Sequence, residues 1–122
     1  WQKEQIAMAK QNWYVASALS GRREYFHLGH VDNNKVLNYP VQSFAGDLIN
    51  TALVKLDKLV DWDHTKILLQ VHDSLVLETD DPQGTAKLLK DCMEQTVSLG
   101  GFSMHFPVEI KQGTNWGQME KL

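Results

Sequence analysis

Lys66–Glu78 reads "KILLQVHDSLVLE". Two apolar runs stand back to back with only His72 and Asp73 between them, so the stretch reads as a β-hairpin with strands at 66–71 and 74–78. Tight turns of this length usually take glycine or asparagine, because a central residue must adopt positive φ. An imidazole and a carboxylate in that place call for another reason. The plain account of Asp73 is a turn residue that bonds to its own backbone. The sharper one is that a carboxylate at a hairpin tip escapes the core and is well placed to hold a metal, with Gln70 and His72 on one face beside it by strand alternation.

Working outward, "DDPQGTAKLLKDCMEQTVSLGG" supplies Asp81 as a helix cap and Pro82 at the first helical position. Its apolar face runs Ala86, Leu89, Met93 and Val97, and Gly100–Gly101 reads as the stop. "MHFPVEI" alternates Met104, Phe106, Val108 and Ile110 toward one side, a half-buried strand in which Pro107 implies an edge position. Upstream, "NYPVQSFAGDLINTALVKLDKLV" carries the strongest helical pattern, with Ala45, Leu48, Ile49, Ala52, Leu53, Leu56, Leu59 and Val60 on a broad face and Pro40 in the first turn. "HVDNNKV" reads as a polar loop, and "LSGRREYFHLG" as a turn at Ser20–Gly21 followed by a short hairpin or extended segment through Tyr25, Phe26 and Leu28. The opening "WQKEQIAMAKQNWYVASA" reads as helix, with Ile6, Ala9, Trp13 and Ala16 at helical spacing. It starts without a cap or an initiator methionine, as if cut from something longer. The order is helix, hairpin-like segment, long helix, β-hairpin, helix, strand. That order predicts an α+β fold in which helices pack on a small, mainly antiparallel sheet made of the hairpin and the C-terminal strand.

Composition narrows the class. A chain of 122 residues with 43% apolar content is one domain's worth and can bury a core. No apolar run approaches a membrane span and no secretory leader pattern opens the chain, so no membrane partner is expected. The single cysteine, Cys92, suits a reducing compartment, hence an expected cytoplasmic location, and its helix face with Leu88 and Leu89 suits packing better than nucleophilic chemistry. Overall charge is −3, yet through Val36 the bases Lys3, Lys10, Arg22, Arg23 and Lys35 outnumber Glu4, Glu24 and Asp32, a locally basic entry able to meet phosphates. His27 and His30 have a metal-like spacing, but no cysteine or acid completes a set, and no glycine-rich phosphate loop is present.

Four blocks together carry a resemblance. "QVHDSLVLE" resembles the third conserved motif of the family A DNA polymerases, the family of bacterial DNA polymerase I. "SGRREYF" resembles that family's Gly-Arg-Arg-x-Tyr segment, "NYPVQSFAGDLINTAL" its helix entry, and "PVEIKQGTNWGQM" its closing strand and tail, in the family's order and with similar spacing. The resemblance implies a palm subdomain over 37–122, with 1–36 adjoining the fingers. It implies that Asp73 is one of two catalytic aspartates holding paired Mg²⁺ ions. One ion would lower the pKa of a primer 3′-hydroxyl and the other would neutralise the nucleotide phosphates.

The resemblance also implies DNA contacts: Gln70 and His72 near the primer terminus, and Asn38 and Gln42, four apart on one helical face, toward the minor groove. Amides suit that role, since minor-groove acceptors recur in every correct pair. Read without the resemblance, Asn38 is a cap or turn residue and Gln42 a solvated one. Arg22 and Arg23 are surface charges by default, and the resemblance adds phosphate contact or packing against the rest of the polymerase chain. Trp116 reads as an anchor for the last strand. The expected partners are a DNA primer-template, deoxynucleoside triphosphates and the remainder of a polymerase chain.

The partner aspartate and the nucleotide-gripping fingers helix match nothing here. Glu78 lies about 16 Å along the strand on the opposite face, and Asp47 reads as a helix-surface or locally paired acid. The chain alone is therefore expected to be inactive, with an unpaired hairpin edge open to self-association. Ser74 stands where the family usually has glutamate, and His-Asp-Ser also resembles the single-subunit phage-type RNA polymerases. Asn34, followed by Lys35, stands where many members have an arginine, and Gly46 stands where alanine is common. The alternatives are a non-catalytic α+β binding or assembly module, and a split polymerase subunit completed by a second chain.

Overall fold

The computed structural model describes residues 1–27 and 29–122; the expectation for Leu28 lies outside them. The chain divides into two compact units, 1–47 and 48–122, the boundary falling inside the longest helix. Three helices and four two-stranded antiparallel ladders among the described residues make the fold α+β, as expected.

In the first unit, α1 spans Gln2–Asn12 and stops earlier than the pattern suggests. Trp13 turns into the left-handed region (φ 62°, ψ 20°) while its amide still bonds Ala9 O at 2.8 Å. A bulky residue seldom adopts that conformation, and it redirects the chain out of the helix. Tyr14–Ala16 therefore form strand β1, not helix, and pair antiparallel with β2, Arg23–Tyr25. Helical spacing and strand alternation both fit so short a run, so periodicity alone could not separate them. The Tyr14 and Tyr25 rings lie opposite each other across the ladder, 5.6 Å apart at 57°. Ala9, Val15 and Val36 form the buried core of this unit, flanked by Ile6, Phe26, Val31 and Tyr39.

Helix α2, Asn33–Leu59, begins seven residues ahead of Pro40, inside the stretch read as a loop. Asp32 explains the early start, because its Oδ1 accepts the amides of Asn34 (2.9 Å) and Lys35 (3.3 Å), groups with no partner within the helix. Pro40 thus sits inside the helix, where it has no amide to offer the Val36 carbonyl. In the second unit Leu48, Ala52, Leu56 and Val60 recur every fourth residue as a buried stripe, with Leu56 wholly enclosed. Ala45 and Leu59, expected on the same face, are exposed.

The hairpin forms as read: β3, Thr65–Val71, pairs with β4, Ser74–Thr79. Between Ile67 and Leu69 the register slips, leaving Leu68 as the extra residue of a β-bulge. Asp81 caps α3, Pro82–Met93, through the Gly84 amide at 3.1 Å. A Cβ on Gly84 would meet the Asp81 carboxylate, so a side chain there would push the capping group aside. Three threonine hydroxyls, of Thr65, Thr79 and Thr85, bond one another at 2.8–3.1 Å and tie the base of the hairpin to the first turn of α3.

Beyond Met93 the expected helix gives way to strand β5, Gln95–Leu99, paired with β6, Phe102–Phe106. Gly100 (φ 56°) and Gly101 (φ 83°) form the two-residue hairpin turn, not a helix stop. The C-terminal strand ends before Pro107, and its ladder partner is β5, while β3–β4 forms a ladder of its own. Lys111–Gln112 (β7) and Glu120–Lys121 (β8) pair across the turn that carries Trp116, which is 58% exposed and so does not anchor a core. Glu109 receives Lys111 at 3.3 Å and Lys121 at 2.9 Å, and the two ammonium groups hold its carboxyl below the usual range. Cys92 is buried, and burial raises its thiol pKa, as suits a packing residue.

Candidate functional site

The tip of the β3–β4 hairpin is built so that its carboxylate faces solvent. His72 takes the positive φ, 54°, that the turn demands. The strand ends at Val71, so the alternation expected to align Gln70 with His72 stops one residue short of the imidazole. Gln70 lies on β3 opposite Leu75, and Gln70, His72 and Asp73 are all exposed. Asp73 enters no hydrogen bond or ion pair among the described residues. The sequence reading missed the part played by Ser74: its hydroxyl donates to the Val71 carbonyl at 2.8 Å, closing the turn from below. A glutamate in its place has no hydroxyl to make that bond.

An Mg²⁺ ion prefers oxygen ligands, keeps several waters and is commonly bound by one or two carboxylates with substrate phosphates. Asp73 fits as one such donor. No group of three histidine, cysteine or acidic side chains able to hold a metal occurs among the described residues.

The remaining candidates lie in the first unit. Asn38 and Gln42 are exposed one turn apart on α2 and line an open depression of about 310 Å³ with Lys35, Tyr39 and Glu24. Lys35 Nζ sits 3.3 Å from Glu24 Oε1 at its rim. The two arginines diverge. Arg23 lies over the Tyr14 ring at 4.3 Å, and its hydrogen bond with the Tyr25 hydroxyl raises further the pKa of a guanidinium that is charged in any case. Arg22 Nη2 instead reaches Asp47 Oδ1 at 3.3 Å.

Asp47, read as a helix-surface or locally paired acid, is neither: its partners are distant in sequence. It is buried, and its Oδ2 accepts the hydroxyls of Ser17 and of Ser20, the latter at 2.6 Å. Desolvation pushes its pKa up, but the Ser17 and Ser20 hydrogen bonds and the Arg22 charge outweigh it and hold the carboxyl below its ordinary value. The Ser17–Arg22 loop is thereby fixed to α2, with Ser17 N–H donating to Arg22 O at 2.8 Å and Tyr39 Oη–H to the same carbonyl at 3.3 Å. Partners 25 to 30 residues apart leave no local signal in a sequence.

Residues 1–118 match the family model described as "DNA polymerase family A". The chain belongs to that family. It is similar to DNA polymerase I of Synechocystis sp., 40% identical over 81 residues, covering 65% of this chain and 8% of that protein. It is also similar to DNA polymerase I of Deinococcus radiodurans, 36% identical over 122 residues, covering 91% of this chain and 12% of that one. Among solved structures it resembles the POL domain of Pol1 from M. smegmatis, in complex with DNA primer-template and dNTP, with a TM-score of 0.66 and 28% identity over 76% of this chain and 18% of that one. This family A chain thus spans roughly a tenth of the length of its two bacterial relatives.

Proposed function

We propose that this chain is the palm portion of a template-directed DNA polymerase, 37–122, with 1–36 adjoining the fingers, and that Asp73 is one of its two metal-holding carboxylates. The observation that carries the reading is the unpartnered Asp73 carboxylate at an exposed two-residue hairpin tip, in a chain matched by the family over 1–118. When bound, paired Mg²⁺ ions would supply Lewis acidity toward a primer hydroxyl and the nucleotide phosphates. Asp73 contributes one anionic ligand, presented on a rigid ladder that Ser74 closes. Gln70 and His72 stand beside it with donors for a primer terminus, and Asn38 and Gln42 offer amides to minor-groove acceptors. Arg23, stacked and charged, is the better phosphate contact of the two arginines, since Arg22 is committed to Asp47. Because the resemblance places the partner aspartate in a motif that nothing in this sequence matches, the chain should not extend a primer by itself. Primer-template DNA and deoxynucleoside triphosphates are the partners of the complete enzyme, acting in the cytoplasm. Among the described residues no helix is long and apolar enough to cross a membrane.

The test is a graft. Residues 1–118 replace the matching segment of the Deinococcus radiodurans relative, and primer extension is measured with Mg²⁺. The graft should extend a primer, and Asp73→Asn within it should reduce the rate by about a thousandfold or more, the cost of losing several kcal/mol of charge stabilisation. A folded graft whose extension is indifferent to Asp73→Asn would sink the reading.

A further inference from the structure

The surface that carries Asn38 and Gln42 has a third member that the family resemblance does not assign. Lys35, Asn38 and Gln42 follow one another at i, i+3 and i+7 along α2, and all three line the same depression. At 1.5 Å of rise per residue the two amides are about 6 Å apart along the axis, and Lys35 precedes the first by about 4.5 Å. That matches a duplex minor groove roughly 6 Å wide: amides over the floor leave a long, flexible ammonium at the lip, where a phosphate lies. Asn34, the residue in the place where many family members have arginine, is neutral, so Lys35 is the cation that this stretch of α2 offers.

Lys35 is already engaged, however. Its ammonium bridges to Glu24 on β2 at 3.3 Å, with the two side chains 61% and 40% exposed. A pair so solvated is worth about 0–1 kcal/mol and yields readily to a better anion. Asp32, the other acid of the depression, is occupied in capping the Asn34 and Lys35 amides. Glu24 is thus the acid of the depression that pairs with this ammonium and that a phosphate would have to displace.

We propose that Lys35 is a phosphate contact of the duplex-binding surface, and that Glu24 is a latch which the DNA backbone displaces by ion exchange. The proposal rests on the reading of Asn38 and Gln42 as duplex-facing. Because a phosphate contact carries no base information, its effect is the same on every duplex sequence. Because it releases a condensed counterion, it contributes about 0.9 to the slope of log affinity against log salt.

The experiment uses the 122-residue chain and two primer-template duplexes of unrelated sequence, with binding followed by fluorescence anisotropy over a salt series and circular dichroism confirming that each variant keeps its helix content. Lys35→Gln should weaken binding to both duplexes equally and reduce the salt slope by about 0.9. Glu24→Gln should strengthen binding about two- to fivefold, the size of an exposed pair released. In the double variant that gain should vanish, since there is no ammonium left to free. If Lys35→Gln leaves affinity and slope unchanged while Asn38→Ala with Gln42→Ala weakens binding, the Lys35 proposal is overturned and the surface reading stands. If Glu24→Gln gains as much without Lys35 as with it, Glu24 is a general repulsive charge and the latch is overturned. Binding indifferent to all of these substitutions overturns the duplex-facing surface and Lys35 together.

Discussion

Asp47 shows most clearly how one side chain sets the entry segment in place. Its carboxylate is enclosed, accepts two serine hydroxyls and meets a guanidinium, so replacing it by the isosteric amide strips charge from hydrogen bonds that are strong because of that charge. Asp47→Asn should destabilise the 122-residue chain by about 2–3 kcal/mol in urea unfolding at neutral pH. The pH dependence has a fixed sign. A carboxyl held below its unfolded value contributes stability that is fully present above about pH 4 and is lost as pH falls through the folded value. The gap between wild type and Asp47→Asn should therefore narrow in acid; a constant gap from pH 7 to pH 2.5 would show that Asp47 is not ionised in the fold. His64 has the opposite sign. Asp80 Oδ2, 2.8 Å from its Nδ1, raises its pKa through their hydrogen bond and its charge, with Asp61 adding to it. In NMR titration His64 should bind its proton at higher pH than a free imidazole, and Asp80→Asn should bring the midpoint back down; an unmoved midpoint would show that Asp80 is not the cause. Neither relation was legible in the sequence, where Asp47 read as a helix-surface or locally paired acid, with no sign of its distant partners, and His64 attracted no reading. The turn at His72–Asp73 was legible because it is local, two residues between two apolar runs. The structure adds that His72 bears the turn's positive φ.

At the scale of the element, α2 carries one internal weakness. Gly46 is helical, adopts no positive φ, and has open space where a Cβ would stand. Glycine inside a helix costs about 1 kcal/mol against alanine, mainly through unfolded-chain entropy. Gly46→Ala should thus stabilise the chain by about 0.5–1 kcal/mol in the same urea assay, and a loss of stability would mean that α2 needs glycine for a reason its geometry does not display. The elements differed in how well the sequence announced them, for physical reasons. The Asp81–Pro82 start of α3 and the strands around His72–Asp73 were legible because cap, proline and turn are each decided within a few residues. The end of α3 was not. Val97 sits four residues past Met93 and continues the helical face, yet Gln95–Leu99 also alternates between half-buried and exposed, and pairing with β6 decides for the strand. The start of α2 was hidden by Pro40, which suits a first turn so well that the cap at Asp32 was passed over.

For the whole molecule, the question is what the ladders leave unsatisfied. Each described strand has a single ladder partner, so every ladder has two outer edges without a further strand. Outer edges invite pairing between chains unless charge, proline or a bulge intervenes. Strand β6 is followed at once by Pro107, and the first half of β3 carries Lys66 and the Leu68 bulge. The second half of β3 has no such guard, and Leu69 stands there about half exposed. We expect the chain to self-associate through this edge, so that its weight-average mass in sedimentation rises with concentration. Two chains pairing in this way would each cover a leucine side chain, worth about 1.5–3 kcal/mol apiece when fully buried. Leu69→Lys puts a charge where that burial occurs and should weaken the association at least tenfold, which 1.4 kcal/mol is enough to produce. Leu59→Lys serves as the control, since it alters a still more exposed leucine at the end of a helix, where no strand can add. Equal loss from both substitutions would assign the association to general hydrophobic contact, and a monomer at every concentration would mean that the bulge and Lys66 protect the whole edge.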